Sequence, residues 1–132
     1  ITQGSGVRGI ATSGWRGRSH SLGLADSVTV LATTAAHADA AATVIANQVN
    51  VDDPRIVRLP ANTLKDNSDL GEIPVTVDVP ALSEEKVHIA LQQGLRRAKE
   101  LKNKGLIISA VITCQGWVTS TDMSTCSRMV NT

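Results

Sequence analysis

The chain has 132 residues, of which 42% are hydrophobic, and thirteen basic residues against twelve acidic ones give it a net charge of only +1. A chain of this length can form one domain with a hydrophobic core, whereas an extended nucleic-acid surface would need a larger excess of positive charge. No apolar run is long enough to cross a membrane and no secretory signal is visible, so we expect a cytoplasmic protein with no membrane or nucleic-acid partner.

Aromatic residues are almost absent. The sequence has no Phe and no Tyr, and its two aromatic residues are Trp15 and Trp117. The core must therefore consist of Val, Ile, Leu and Ala, which suits close packing of helices on a sheet. Few flat rings remain on which a ligand could stack.

The first third of the chain predicts two strands and a helix. Residues 7–11 read as a short strand, and a turn-rich stretch follows over residues 12–19. Residues 26–32 alternate and are β-branched, which predicts a strand. Residues 35–49 are rich in alanine with a helical period, and their apolar stripe consists of Ala38, Ala41, Ala42, Ile45, Ala46 and Val49.

The next segment predicts a loop, a strand and a second helix. Residues 60–72 are polar and turn-rich, and residues 73–79 read as a strand. Ser83 is a plausible N-cap for a helix that ends at Gly105. Its predicted apolar face consists of Val87, Leu91, Leu95, Ala98 and Leu101.

The last segment predicts a strand pair. Residues 106–113 form an apolar strand, Gln115 and Gly116 a turn, and Trp117 begins a short partner strand, while the polar tail from residue 121 is expected to fray. The resulting order, β-β-α-β-α-β-β, predicts an α+β fold with a mainly antiparallel sheet and two packed helices. With no long linker, residues 1–132 are expected to form a single domain.

Three polar residues follow one another at helical spacing. Asp39, Thr43 and Asn47 are each four residues apart, so they form one narrow strip on an otherwise aliphatic helix. A carboxylate with a hydroxyl or amide oxygen suits Mg²⁺. The alternative is structural: Asp39 caps the helix while Thr43 and Asn47 bond to neighbouring backbone, and the spacing alone favours this alternative.

A second group of residues lies in the turn after the first strand. Small residues at Thr12, Ser13 and Gly14 would let backbone N–H groups approach a ligand, and Arg16 and Arg18 could pair with phosphate. The alternative is an ordinary solvated loop between two strands.

The remaining reactive side chains carry little signal. His20, His37 and His88 suggest no Ser-His-Asp or Cys-His arrangement, and Cys114 and Cys126 lack metal-ligand spacing. We therefore assign no catalytic residue.

Together these pieces resemble a known family. The run G-I-A-T-S-G-W-R-G-R-S-H-S-L-G-L-A-D-S-V-T-V-L-A, followed by H-A-D-A-A-A-T-V-I-A-N, resembles uncharacterised bacterial and archaeal proteins related to the ApbE flavin transferases. The resemblance covers about residues 9–50, and the closing G-L-I-I-S-A-V-I-T-C-Q-G-W resembles the same proteins more loosely. It implies an ApbE-like (T-fold-like) half domain, the C-terminal portion of a longer chain.

The resemblance also implies a ligand. ApbE proteins transfer FMN from FAD to proteins, and their Mg²⁺ bridges the phosphates of FAD. Their metal-binding aspartate and threonine match Asp39 and Thr43 here. The resemblance therefore favours a metal site, although the spacing alone favours the structural alternative. Thr12, Ser13, Gly14, Arg16 and Arg18 become candidate contacts to FAD or FMN.

Two departures from the family bear on this implication. The transferases carry a His-Ile-x-Asp-Pro motif before the second strand, where this chain has only S-H-S-L-G-L-A-D, including His20. Related proteins also have an N-terminal half that supplies much of the pocket. The resemblance therefore leaves a second possibility: a non-catalytic binding or assembly module that pairs with its own N-terminal segment or with a second copy.

Overall fold

Alternating aliphatic residues and two amphipathic segments determine the architecture seen in the computed structural model, which describes residues 6–15, 21–60 and 74–129. Within these residues the chain forms seven strands and two helices. In chain order they are β1 (Gly9–Ser13), β2 (Ser27–Ala32), α1 (Ala35–Gln48), β3 (Val57–Pro60), β4 (Pro74–Asp78), α2 (Glu84–Asn103), β5 (Ser109–Cys114), β6 (Trp117–Ser120) and β7 (Ser127–Arg128).

The main sheet has five strands in the order β1-β2-β5-β6-β7, and every neighbouring pair is antiparallel. Strands β3 and β4 form a separate antiparallel pair. Helix α1 lies over β1 and β2, and α2 lies over β5 and β6. This arrangement confirms the predicted α+β fold with a mainly antiparallel sheet and two packed helices.

One face of the main sheet forms the core with the two helices. Strand β2 turns Val28, Val30 and Ala32 towards the helices, and β5 does the same with Ala110 and Ile112. Because side chains alternate along a strand, the residues between them face the opposite side of the sheet.

Helix α1 packs very closely against its neighbours. The Thr34 hydroxyl caps it by accepting a hydrogen bond from the His37 N–H at 3.1 Å. The whole predicted apolar stripe is buried. At the other end, a Cβ added to Gly23 would overlap the carbonyl oxygen of Ala46, so any side chain at residue 23 would force α1 away from the preceding loop.

Helix α2 follows the predicted pattern. Ser83 caps it, Glu84 and Glu85 occupy its first turn, and the predicted apolar face is buried. Acidic residues are favourable there because the N-terminal end of a helix carries partial positive charge. Gly94 lets α2 contact α1, since a Cβ there would overlap a methyl group of Val49.

The structure contains two strands that the sequence did not predict. Strand β3 is short, its residues are exposed or half-buried, and it ends in Pro60, so it carries neither a strong apolar run nor a clean alternation. Strand β7 has two polar residues, and backbone contacts such as the bond from the Met129 N–H to the Gly116 carbonyl hold it in place. The tail therefore pairs with β6, whereas the sequence predicted that it would fray. Most of the predicted loop over residues 60–72 lies outside the described residues.

A buried carboxylate joins the segment after α1 to the start of α2. The side chain of Asp53 is 1% exposed, and its oxygens accept hydrogen bonds from the Arg55 guanidinium at 2.8 and 3.1 Å and from the Lys86 ammonium at 3.0 Å. The Arg55 backbone N–H donates a further bond at 2.9 Å. The hydrogen bonds from Arg55, followed by that from Lys86, hold the pKa of Asp53 well below its ordinary value.

We predict that Asp53 makes the fold sensitive to acid. Because its folded-state pKa is lowered, the ionised carboxylate stabilises the fold above its unfolded pKa of about 4, and this contribution is lost as the pH falls below that value. Asp53→Asn should lower the urea midpoint at neutral pH and flatten the dependence of stability on pH in the acid range. The neighbouring, exposed Asp52→Asn is the matched control, and equal midpoints for the two variants would contradict this role.

Candidate functional site

The polar strip Asp39, Thr43 and Asn47 lies on the side of α1 that faces away from α2. Val44 and Gln48 of α1 line a groove with Gln93 and Arg97 of α2, so this is the side of α1 that faces the second helix. A residue turns by about 100° per position along a helix, which places Asp39 nearly opposite this side and Thr43 roughly 120° from it. Since α1 lies over β1 and β2, the strip faces the edge of the sheet that β1 forms.

The first two residues of the strip are available to a ligand. Asp39 and Thr43 are both exposed, and the Thr43 hydroxyl donates a hydrogen bond to the backbone carbonyl of Asp39 at 3.1 Å. This bond is the one that the structural alternative predicted for Thr43, but the helix cap is Thr34 and not Asp39. The bond uses the proton of the hydroxyl and leaves lone pairs of Oγ1 for a cation.

Asn47 plays a different part. Its Oδ1 accepts a hydrogen bond from the Leu22 N–H at 2.9 Å and lies 3.4 Å from the Ser21 hydroxyl. The Ser21 Oγ in turn accepts a bond from the Gly23 N–H at 3.1 Å. Asn47 therefore fixes a neighbouring segment of the chain to α1.

That segment directly follows residues 16–20, which contain Arg16, Arg18 and His20. Ser21 is 1% exposed, and the Leu24 N–H donates to the Val49 carbonyl at 2.7 Å. Before residues 16–20, the Trp15 N–H donates to the Ala25 carbonyl at 3.1 Å. Arg16, Arg18 and His20 themselves lie outside the described residues, but the residues that flank them on both sides are held in fixed positions.

The Thr12-Ser13-Gly14 turn is divided between the two faces of the sheet. The Thr12 hydroxyl lies 3.1 Å from the Thr29 hydroxyl, on the face away from α1. Ser13 has the opposite orientation and lies on the same face as Ala11, which packs against the core. Gly14 approaches the backbone of Asp26 so closely that a Cβ would overlap its carbonyl. Packing alone therefore explains why residue 14 is a glycine.

Ser13 and Thr43 lie at about the same distance from the point where β1 and α1 begin. Helix α1 and β1 both begin where Gly9 packs against the backbone of Thr34 and Ala35. Thr43 follows Ala35 by roughly 12 Å at 1.5 Å per helical residue. Ser13 follows Gly9 by roughly 13 Å at 3.3 Å per strand residue. Ser13 and Thr43 therefore lie at similar distances along their two elements, with Ser13 on the sheet face that packs against the core and Thr12 on the opposite face.

Other titratable side chains of the described residues are poor candidates for chemistry. Burial, with a smaller contribution from the Asp26 carboxylate, raises the pKa of the Cys114 thiol to about 12. The ring of His88 meets the ring of Trp117 edge-on at 4.5 Å, and His37 is exposed. Among the residues that the structure describes, no group of three or more His, Cys, Asp or Glu side chains is placed to bind a metal.

Sequence reasoning missed one residue of this edge. Ser21 is a buried serine whose Oγ contacts Asn47, yet the sequence analysis assigned it no role and included it only in the run S-H-S-L-G-L-A-D. The one available signal was its place between a polar loop and a hydrophobic segment, which would not distinguish it from an exposed loop serine.

Comparison with known proteins decides the family. A family model described as "AbpE bacteria" matches residues 1–120. The chain belongs to this ApbE-like family. The resemblance inferred from the motifs is therefore confirmed, while the ligand, the metal and the roles of individual residues stay predictions.

More distant comparisons add little. A UPF0280 protein of Methanopyrus kandleri is 54% identical over 50 residues, which are 37% of this chain and 21% of that protein. The match thus spans about a fifth of the relative's length. No solved structure matches the chain. Within the described residues, no helix has the length and apolar character that a membrane span would need.

We predict that Asn47 stabilises the segment that follows residues 16–20. Asn47→Ala would leave the Leu22 N–H without its acceptor, and we expect a loss of about 1–3 kcal/mol in the free energy of unfolding. Urea denaturation measures this loss, and the adjacent, exposed Gln48→Ala is the control. Equal stabilities for the two variants would show that the bond between Asn47 and Leu22 contributes nothing.

Proposed function

We propose that the chain carries part of a site that binds Mg²⁺ together with the phosphates of a flavin nucleotide, FAD or FMN. One observation carries the proposal: Asp39 and Thr43 are exposed on the same strip of α1 as Asn47, which bonds to Leu22 shortly after Arg16 and Arg18 in the chain. Membership in the ApbE-like family supports flavin as the ligand class.

The donor set on this strip fits Mg²⁺. Mg²⁺ in nucleotide sites commonly takes one or two carboxylates, and phosphates and water complete its octahedron. Asp39 would supply the carboxylate and Thr43 a hydroxyl oxygen, both of which are exposed. When bound, Mg²⁺ would neutralise phosphate charge and make a pyrophosphate bond easier to break.

The protein's own residues would orient the ligand. Asn47 bonds to Ser21 and Leu22 after Arg16 and Arg18 in the chain, and the Trp15 N–H bonds to the Ala25 carbonyl before them. Arginine pairs with phosphate in a bidentate manner, which fixes orientation as well as charge.

A second candidate is binding without transfer. The segment S-H-S-L-G-L-A-D stands where the transferases carry a longer stretch with an Asp-Pro, so the chemistry of FMN transfer can be absent while the phosphate site remains. In this case the chain is a ligand-binding or assembly module. The two candidates differ in whether bound FAD is converted to FMN and AMP.

We predict that FAD fluorescence is quenched by the protein in a saturable and magnesium-dependent manner. Asp39→Asn, which preserves size and removes the charge, should weaken FAD binding in Mg²⁺ by roughly tenfold or more while leaving the circular dichroism spectrum unchanged. The residual affinity measured with EDTA should be the same for both proteins, because Asp39 would act through the metal.

Asp52→Asn, which removes an exposed carboxylate outside the strip, is the matched control for this loss of charge. Wild-type affinity for FAD in Asp39→Asn with Mg²⁺ present would remove the metal role. Release of AMP from bound FAD would identify a transferase, and tight binding without AMP would favour the binding module.

A further inference from the structure

The outer face of α2 carries a regular stripe of exposed residues. Glu85, Ile89, Gln92 and Arg96 succeed one another at spacings of four, three and four, which is the spacing of a seam between two packed helices. All four are exposed, and the isoleucine side chain is 43% exposed. An open depression of about 810 Å³ lies along this face and includes these four residues in its lining. We call this set the α2 stripe.

The stripe has opposite charges at its two ends. Glu85 lies in the first turn of α2 and Arg96 lies three turns later, while Ile89 and Gln92 between them are uncharged. In the described part of the chain neither Glu85 nor Arg96 takes part in an ion pair, unlike Arg97 and Lys102, which pair with Glu100 and Asp122. The charges of the stripe are therefore available to a partner.

This order of charges is complementary to itself in the antiparallel direction. When two copies of α2 pack about a twofold axis, the register that places Glu85 opposite Arg96 of the second copy necessarily places Arg96 opposite Glu85 of that copy. The axis then passes between Ile89 and Gln92, so both isoleucines are withdrawn from water at the centre of the contact. The same register places each Ile89 opposite Gln92 of the second copy, so that one symmetric arrangement gives two ion pairs at the ends and two isoleucine–glutamine contacts in the middle.

We propose that the α2 stripe is a self-association surface through which two copies of this chain form an antiparallel helix pair. A partner with a uniformly acidic or basic helix would match one end of the stripe and be repelled by the other, which is why charge complementarity favours a second copy. A contact made by a single helix, roughly 30 Å long, is small, so we expect a weak dimer that dissociates on dilution and at high salt. The proposal is independent of the flavin site, which lies at the opposite side of α1.

Sedimentation velocity over a range of protein concentrations tests this surface. The wild-type protein should show a monomer–dimer equilibrium at low ionic strength. Arg96→Glu should weaken self-association by at least about tenfold, because it replaces two attractive pairs by two repulsive ones. Glu85→Arg should have the same effect for the same reason.

The double variant Glu85→Arg/Arg96→Glu is the decisive measurement, because it exchanges the charges and restores both pairs. It should recover most of the wild-type association. Lys104→Glu, which makes the same change of charge off the stripe, is the control, and circular dichroism checks that every variant keeps its helices. A wild-type protein that stays monomeric at all concentrations would overturn the proposal. So would a dimer that tolerates the single reversals, or single losses that the double variant does not restore.

Discussion

The close contact of α1 with its surroundings is the constraint on which the rest of the structure depends. Its buried face consists mainly of alanines, which allow the helix axis to come near the sheet, and Gly23 lets the preceding loop touch the backbone of Ala46. Dispersion forces decline steeply with distance, so a helix held this closely has little freedom to tilt or slide. The position of everything that α1 carries on its other faces is therefore determined by the core.

The polar strip shows how this constraint reaches the surface. Its three residues lie on one strip of α1, yet Asn47 bonds to a distant segment of the chain while Asp39 and Thr43 are exposed. Asn47 supplies the acceptor for the Leu22 N–H, whereas the Thr43 hydroxyl bonds within α1 to the backbone carbonyl of Asp39. A helix that is fixed on one side by packing and on another by Asn47 presents Asp39 in a constant place, which is what a metal ligand requires.

The sequence predicted the parts of the fold that rest on periodicity. The apolar stripes of α1 and α2, the Ser83 cap at the start of α2 and the strands β2, β5 and β6 all follow from spacing and residue type. Strands β3 and β7 could not be predicted in this way, because pairing with a neighbour rather than a pattern of burial defines them. For the site, spacing correctly placed Asp39, Thr43 and Asn47 on one strip, but it could not tell that Asn47 bonds to Leu22, or that Thr12 and Ser13 face opposite sides of the sheet. Those facts depend on contacts between distant parts of the chain.

The burial of Cys114 has a practical consequence. Its thiol lies in β5 within the hydrophobic core, and with a pKa near 12 almost none of it is ionised at neutral pH. Alkylating reagents react with the thiolate and need direct access to sulfur, so they can reach this residue only when the sheet separates from the helices. The rate at which Cys114 becomes labelled in the native protein therefore reports how often the core opens, and comparing that rate with the rate for the half-buried Cys126 would distinguish opening of the whole domain from local movement of the tail.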